Sequence, residues 1–330
     1  MDNNIILEFG GCFVKAYTKQ NGLTFKEPSL VACVKTGEVV QVKALGIDAK
    51  KLAEIDDENH MIFSPFGEGK IKNNEYAIVY INYLLKKANI KKPLFASLNA
   101  IVIVPSSNSA LERSEISKVL CACGFENVKF VPSAVCVCSY IGMSKYSSKV
   151  SLIVDIGGSK TDVALSTFDS ILNGATINLG GKGMNKSVLD FVSNKYNIDM
   201  PLILAEKIKE ELASLYDNDV SSMKIRAYDK VSDSEIVAIV HAQDVKEAIA
   251  PYFDEVSKLI ETTLNMCNQE ILSQIKDNGI YICGSVAKTT GLEKFFHDKF
   301  LLPINILDNC EDCAIIGAGK LLKTYPQIFK

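Results

Sequence analysis

The sequence predicts an α/β protein built from two duplicated lobes. Apolar runs alternate with amphipathic segments along the chain, which is typical of α/β folds rather than all-β or all-helical ones. A motif of strand, glycine turn and strand occurs once in each half of the chain. The length of 330 residues suits two domains of roughly 100–200 residues each, with enough apolar material for a core.

The repeated motif is an apolar strand that ends near an acidic residue, followed by a glycine turn and a second strand. The copies lie about 145 residues apart, which indicates duplication at the scale of a domain. A single Gly-Gly pair would equally suit an ordinary tight hairpin. The two copies comprise Glu8 and Gly10-Gly11 in residues 7–17, and Asp155 and Gly157-Gly158 in residues 151–166.

Between the copies, the patterns predict a small sheet, two helices and a strand. Alternating apolar runs in residues 29–44 indicate the small sheet, and residues 75–87 read as a helix. The apolar run 99–104 predicts a buried strand. Residues 109–123 read as a helix because Ser109 and Glu112 have capping-box spacing and a glycine follows the last turn.

After the second copy, the sequence predicts helices over 184–195 and 204–216, and a polar β-like segment over 217–243. A long helix follows, because apolar residues from Val245 to Leu264 recur at steps of three and four. Residues 279–296 read as a buried strand, a glycine turn and a helix.

The composition bounds the class of protein. The 36 basic and 39 acidic residues give a net charge of −3, so no overall field attracts polyanions and nucleic acid is not an expected partner. No signal-like start and no run of eighteen apolar residues occurs, so we expect a cytoplasmic protein that does not span a membrane. Its ten cysteines are then reduced and mostly pack in the core. Zinc binding by the pairs Cys121-x-Cys123, Cys136-x-Cys138 and Cys310-x-x-Cys313 is the alternative.

The glycine turns suit the binding of phosphate. Without a Cβ in the way, backbone N–H groups can approach an anion, and two facing turns could clamp a polyphosphate from both sides. Glu8 and Asp155 then stand where a carboxylate could hold hydrated Mg²⁺.

These residues resemble the bacterial actin-like proteins of the MreB family. Besides the paired turns, the resemblance rests on five segments in the family's order, and it covers nearly the whole chain. The segments are FKEPSLVACVKTGEVVQVKALGIDAKKL, SPFGEGKIKN, VIVPSSNSALERSEI, AEKIKEEL and CEDCAIIGAGKLL.

The resemblance implies an actin-like ATPase fold with two ribonuclease H-like lobes, each carrying a smaller subdomain, and a nucleotide cleft between them. Lobe I is expected over 1–145, with its small subdomain at about 29–65. Lobe II is expected over 146–308, with its small subdomain at about 182–243, and residues 309–330 return to lobe I.

The same resemblance implies ATP and Mg²⁺ as ligands, with Mg²⁺ held through water by Glu8 and Asp155. By position in the family's motifs, the expected ATP-binding residues are Gly10, Gly11, Cys12, Phe13, Lys15, Gly157, Gly158, Ser159, Lys160, Glu206, Lys209, Glu210, Gly284, Ser285, Val286 and Ala287. Lys15 could instead be a solvated strand lysine, and Glu206, Lys209 and Glu210 an exposed helix face. Lys160 could either contact phosphate or obstruct it.

Two departures from the family bear on activity. Relatives orient the attacking water with a glutamate, but this chain reads VPSAVCVCSYIG there, and neither Ser133 nor Val135 is a carboxylate. Hydrolysis is therefore expected to be weak or lost. The turn expected to hold the adenosine, called the adenosine turn below, comprises residues 284–287. Val286 replaces a glycine of the family there, which narrows the expected adenine pocket.

The resemblance further implies filaments of the protein itself, in protofilament pairs, acting in cell shape at the inner membrane with membrane morphogenesis proteins. Leu94 and Phe95 follow four lysines and match an apolar pair that inserts into the membrane; closing the core is the alternative. Two other functions stay open: a degenerate scaffold that polymerises without nucleotide turnover, and a non-polymerising ATPase of the same superfamily, such as a sugar kinase or chaperone.

Overall fold

The structure is a computed structural model that describes residues 4–37, 39–55, 60–91, 97–146 and 149–329. In the first part of the chain, strands outnumber helices. The elements are β1 (Asn4–Phe9), β2 (Phe13–Thr18), β3 (Gly22–Pro28), β4 (Val31–Thr36), β5 (Val39–Leu45), α1 (Ile47–Ile55), β6 (His60–Phe63), β7 (Phe66–Gly67), β8 (Lys70–Ile71), α2 (Asn74–Lys87), β9 (Asn99–Val104), α3 (Ala110–Ala122), β10 (Asn127–Pro132) and α4 (Ser133–Tyr140).

The second part repeats this alternation with longer helices. Its elements are β11 (Ser151–Ile156), β12 (Thr161–Ser166), β13 (Ile171–Ile177), α5 (Gly181–Tyr196), β14 (Ile198–Asp199), α6 (Leu202–Leu212), β15 (Ser222–Asp229), β16 (Ser234–His241), α7 (Ala242–Asn265), α8 (Gln269–Asn278), β17 (Ile280–Cys283), α9 (Leu292–Phe300), β18 (Ile304–Ile306) and α10 (Cys313–Thr324), with 3-10 turns at Ser285–Lys288 and Pro326–Phe329.

Two five-stranded sheets have the same topology. In the first, the order is β3-β2-β1-β9-β10; in the second, it is β13-β12-β11-β17-β18. In both sheets the first three strands are antiparallel and the last two join in parallel. This shared order confirms that the chain contains a duplicated unit, as the paired hairpins predict.

Each large sheet is accompanied by a small one. Strands β5, β4 and β6 form an antiparallel sheet within the stretch 29–65, and β14, β15 and β16 form another within 182–243. These are the stretches in which small subdomains are expected. The exact boundaries of the lobes stay predictions.

The buried strands are apolar on both faces because helices cover both sides of each large sheet. Within β9, residues from Ala100 to Val104 are buried, and β12 is buried along its whole length. Long helix α7 buries one stripe that includes Val245, Ile249 and Phe253, which confirms its predicted periodicity.

The last helix joins the first sheet rather than the second. Helix α10 packs along α4 and β2, and the contact is close because Gly317 faces α4 without a side chain. A Cβ on Gly317 would lie 1.9 Å from the carbonyl oxygen of Cys136, and one on Gly319 would lie 2.4 Å from the ring of Tyr17. The end of the chain therefore depends on small residues to reach the first lobe.

Most predicted elements are confirmed, including α2, β9 and the capping box of Ser109 and Glu112 at α3. The end of the helix predicted over 204–216 is wrong, because α6 stops at Leu212. Leu215 instead donates its N–H to the carbonyl of Thr290 at 2.8 Å, and a bridge joins Ser214 to Thr290. Pairing with a distant segment outweighs local helix propensity here.

The contact between α10 and α4 makes Gly317 sensitive to substitution. We expect Gly317→Ala to lower the free energy of unfolding by about 1–3 kcal/mol, because the new methyl group meets backbone that cannot move aside. Gly183→Ala in α5 is the matched control, since a Cβ there meets the ring of Tyr252 at 3.0 Å and the side chain can turn away. Urea denaturation measures both; equal stability of the two variants would contradict the packing.

Candidate functional site

The two glycine turns are copies of each other in hydrogen bonding as well as in sequence. Gly10 donates its N–H to the carbonyl of Phe13 at 2.9 Å, and Gly157 donates to the carbonyl of Lys160 at 2.9 Å. Each turn closes an antiparallel hairpin, β1–β2 in the first lobe and β11–β12 in the second. The structure thus brings both predicted phosphate turns into one place, facing each other.

The turns pack against each other reciprocally. The Cys12 side chain lies on Gly158, where a Cβ would be 2.1 Å from Sγ, and the Ser159 side chain lies on Gly11, where a Cβ would be 2.3 Å from Oγ. The Oγ of Ser159 also accepts the N–H of Glu68 at 3.1 Å. Glycine is required at both positions because the residue after each Gly-Gly pair fills the space of the missing side chain.

A cleft of about 90 Å³ lies between the turns. This is smaller than the roughly 300–1,000 Å³ of sites that enclose a whole small organic ligand. Most expected residues of the two turns line the cleft, together with Ser285 and Gly284. Sequence reasoning missed several lining residues: Phe9, Gly69, Cys283, Cys310, Glu311, Cys313 and Ala314.

Lys15 is buried and its ammonium is paired with carboxylates, so its interpretation as a solvated strand lysine is wrong. Its ammonium lies 3.2 Å from both carboxylate oxygens of Glu8, 3.3 Å from Asp312, and also donates to the carbonyl of Glu311. Burial alone would lower the pKa of Lys15, but Glu8 and Asp312 raise it above the ordinary lysine value. Lys15 therefore stays charged and neutralises Glu8.

The acidic pair before α10 links both lobes. Glu311 accepts from Lys26 of β3 at 2.8 Å and from Lys288, beside the adenosine turn, at 2.6 Å. Asp312 accepts from Lys26 at 2.9 Å. The only sequence signal for these residues is their place in the CEDC segment, because their partners lie far away along the chain.

The second hairpin has two facing carboxylates where the first has a carboxylate and a lysine. Asp155 faces Asp162 across the hairpin, in the place where Glu8 faces Lys15 in the first copy. Burial, with the charges of Glu8 and Asp162, raises the pKa of Asp155 to about 6. Asp162 is satisfied by Ser106, whose backbone N–H donates at 3.0 Å and whose Oγ donates at 2.6 Å.

Lys160 stands beside these carboxylates without a direct bond. Its ammonium lines the cleft against the Gly69 loop, where a Cβ on Gly69 would lie 2.9 Å from Nζ. Burial lowers the pKa of Lys160, and the charges of Asp162, Asp155 and Glu8 act in the opposite direction.

The predicted adenosine side is assembled on the second lobe. Gly284 has φ +91°, and a Cβ there would lie 2.3 Å from the carbonyl of Ile156, so glycine is needed at this turn. Val286 is buried against Gly181, near the ammonium of Lys209, which donates to the Gly181 carbonyl at 3.2 Å. Ala287 is buried beside Val286.

The three residues of α6 that are expected to contact the nucleotide differ from one another in their surroundings. Glu206 is half-buried and lies 3.9 Å from Lys50 of α1, so it faces the first lobe across the cleft mouth. Burial lowers the pKa of Lys209 on the same side. Glu210 is exposed. These positions lie outside the narrow space between the two turns.

Three other expectations concern residues away from the turns. Ser133 and Val135, the two candidates for the position of the expected water-orienting carboxylate, are both buried in α4, and neither carries a carboxylate. Leu94 and Phe95 lie outside the described residues. Within the part of the chain that is described, no helix is long and apolar enough to cross a membrane.

The charges in the cleft suit Mg²⁺ poorly. Mg²⁺ binds carboxylate oxygens and retained waters, but both oxygens of Glu8 are engaged by Lys15, and the ammonium of Lys160 is near Asp155. Among the described residues, no group of three His, Cys, Asp or Glu side chains is placed to hold a metal ion.

Comparison with known proteins agrees with this geometry. The sequence matches the family described as MreB/Mbl protein over residues 2–330. The chain belongs to the MreB/Mbl family. It is 24% identical over 328 residues to the cell shape-determining protein Mbl of Bacillus subtilis (strain 168), covering 99% of this chain and 98% of that protein. It is 22% identical to the cell shape-determining protein MreB of Escherichia coli (strain K12), covering 97% and 93%.

The fold of this MreB/Mbl chain is actin-like. A crystal structure of MreB5 of Spiroplasma citri bound to ADP matches with a TM-score of 0.89 and 26% identity, over 97% of this chain and 96% of that one. The same protein bound to AMPPNP matches with a TM-score of 0.89 and 26% identity, over 98% and 97%. A MamK double helical filament shares the fold, with a TM-score of 0.82 and 18% identity over 98% and 100%.

Asp155 should make stability depend on pH. Its pKa is about 6 in the folded protein, above its value of 3.8 as an unperturbed side chain, so the folded state binds the proton more tightly. The free energy of unfolding should therefore fall as pH rises from about 4 to about 6 and stay low above that. Asp155→Asn should remove this dependence and stabilise the protein at pH 7 by about 1–3 kcal/mol.

Urea denaturation in buffer with a chelator, repeated from acid to neutral pH, measures the effect of Asp155→Asn. Asp277→Asn, on the exposed face of α8, is the control and should change stability by no more than about 0.5 kcal/mol. A variant Asp155→Asn with the same stability and pH profile as the parent would show that the carboxylate is not held in an unfavourable environment.

Proposed function

We propose that this protein is a nucleotide-binding, filament-forming cytoskeletal protein of the cytoplasm, that it acts in cell shape at the membrane surface, and that it hydrolyses ATP slowly or not at all. The observation that carries the proposal is the reciprocal pair of glycine turns, since backbone N–H groups of both lobes converge on one cleft.

Nucleotide binding is supported by the relatives as well as by the turns. MreB5 of Spiroplasma citri, at 26% identity, has been solved with ADP and with AMPPNP. In this chain the glycines of both phosphate turns and Gly284 of the adenosine turn are in place, while Val286 narrows the adenosine side. We infer that the lobes open to admit the nucleotide and close on its phosphates.

Weak hydrolysis is expected from the first turn of α4. An attacking water is oriented or activated by a base or a carboxylate, and neither Ser133 nor Val135 supplies one. Nucleotide can therefore bind and shift the lobes without being consumed quickly.

Filament formation is supported by an exposed strand edge. Strand β5 lies at the edge of the small sheet, and Val39, Val40 and Val42 are 56%, 40% and 38% exposed. An unpaired edge that displays apolar side chains favours association with another chain. Head-to-tail contacts between identical subunits generate open filaments when their rotation does not close into a ring, and we expect such filaments here in protofilament pairs.

The membrane part of the proposal rests on the sequence alone. Leu94 and Phe95, with the neighbouring lysines, would provide weak attachment to an anionic inner membrane surface, and polymerisation would multiply it. Partners among membrane morphogenesis proteins belong to the same proposal.

A second candidate is a scaffold that polymerises without nucleotide. The narrow cleft and the direct contacts between the turns favour it, since the closed arrangement is already stabilised by protein atoms. Sedimentation of the purified protein with ATP, with AMPPNP and without nucleotide separates the two candidates. Pellets that need either nucleotide support the main proposal, whereas equal pellets in all three support the scaffold; no pellet in any condition would refute filament formation.

Phosphate release tests the hydrolysis part directly. We expect the parent protein to release phosphate from ATP little faster than ATP hydrolyses in buffer without protein, because the chain lacks the orienting carboxylate. Ser133→Glu should increase the rate by about 10-fold or more, because it supplies a carboxylate at the first turn of α4. Ser133→Gln is the matched control for size without charge. Release by the parent at the rate of an ordinary actin-like ATPase would contradict the prediction.

A further inference from the structure

Among the described residues that line the cleft, Lys160 is the lysine whose ammonium is free to bind a ligand. Its ammonium lines the space between the turns, yet among the described residues it makes no hydrogen bond and no ion pair. It rests against the Gly69 loop, which Asn108 holds by donating to the Gly69 carbonyl at 3.1 Å. The position is therefore built from both lobes, and the charge borders the cleft between the two glycine turns.

The other cleft lysine cannot fill this role. Lys15 donates to Glu8, to Asp312 and to the carbonyl of Glu311, which uses the bonding capacity of its ammonium. Releasing it would leave the Glu8 carboxylate with uncompensated charge in a half-buried site, which is unfavourable. Lys15 is thus a structural counter-ion, whereas Lys160 can form new bonds without breaking old ones.

A divalent ion would meet an unfavourable set of charges in the same space. Glu8 is neutralised by Lys15, so Asp155 is the remaining carboxylate of the pair expected to hold Mg²⁺. A cation beside Asp155 would also be repelled by the ammonium of Lys160. Lysine is itself a common phosphate ligand that acts as a point charge, and it needs no coordination geometry.

We propose that Lys160 binds a phosphate of the nucleotide and supplies the cleft's positive charge in place of Mg²⁺, so that this protein binds ATP without a divalent ion. The inference rests on the proposed nucleotide binding and adds the identity of the counter-ion. The ligand class is a nucleoside polyphosphate free of metal. Such binding would make the lobes respond to nucleotide even where Mg²⁺ is scarce.

Isothermal titration calorimetry with ATP tests the inference, in buffer with Mg²⁺ and in buffer with excess EDTA. The parent protein should bind with a Kd that differs by less than about 3-fold between the buffers, because its cation is built in. Lys160→Met should weaken binding in EDTA by about 10-fold or more, since a charged hydrogen bond to phosphate is lost. Lys160→Arg should keep the affinity in EDTA.

Lys276→Met, an exposed position on α8, is the control for the loss of one positive charge and should bind like the parent. Circular dichroism melting checks that each variant is folded. Binding by the parent only with Mg²⁺, or equal binding by Lys160→Met and the parent in EDTA, would overturn the inference and leave the proposed function standing. Absence of ATP binding in both buffers would refute the proposed function, and the inference with it.

Discussion

The reciprocal packing of two glycine turns is the contact on which the rest of the molecule depends. Cys12 occupies the space over Gly158, and Ser159 occupies the space over Gly11, so each lobe supplies the side chain that the other lobe lacks. The duplicated sheets place the two hairpins at the same point of their topologies. A ligand that enters between the turns must replace these contacts, which couples its binding to the separation of the lobes.

The duplicated hairpins carry different charges, and this difference decides the chemistry of the cleft. In the first copy a lysine faces the carboxylate across the strands, whereas in the second copy an aspartate does so. The first lobe therefore satisfies its acid internally. The second lobe leaves Asp155 with a raised pKa and an adjacent cation, Lys160, that has no direct partner among the described residues. Divergence of the two copies converts a symmetric scaffold into an asymmetric site.

The sequence predicts the duplicated lobes and both turns because their signals are local. Strand patterns, Gly-Gly pairs and the capping box of α3 each involve residues within a few positions of one another. The same reasoning fails for Lys15, whose partners Glu311 and Asp312 come from the opposite end of the chain. It also fails at the end of α6, where pairing with Thr290 replaces the last helical turn. In each case a contact distant in sequence determines the local structure.

The central claim is that both turns bind the same polyphosphate through their backbone N–H groups. Hydrogen exchange followed by mass spectrometry, with and without ATP, tests it most directly. The account predicts that the segments around Gly10–Phe13 and Gly157–Lys160 gain protection together when ATP binds, although they belong to different lobes. Protection of one segment alone, or of neither in a protein saturated with ATP, would contradict the account.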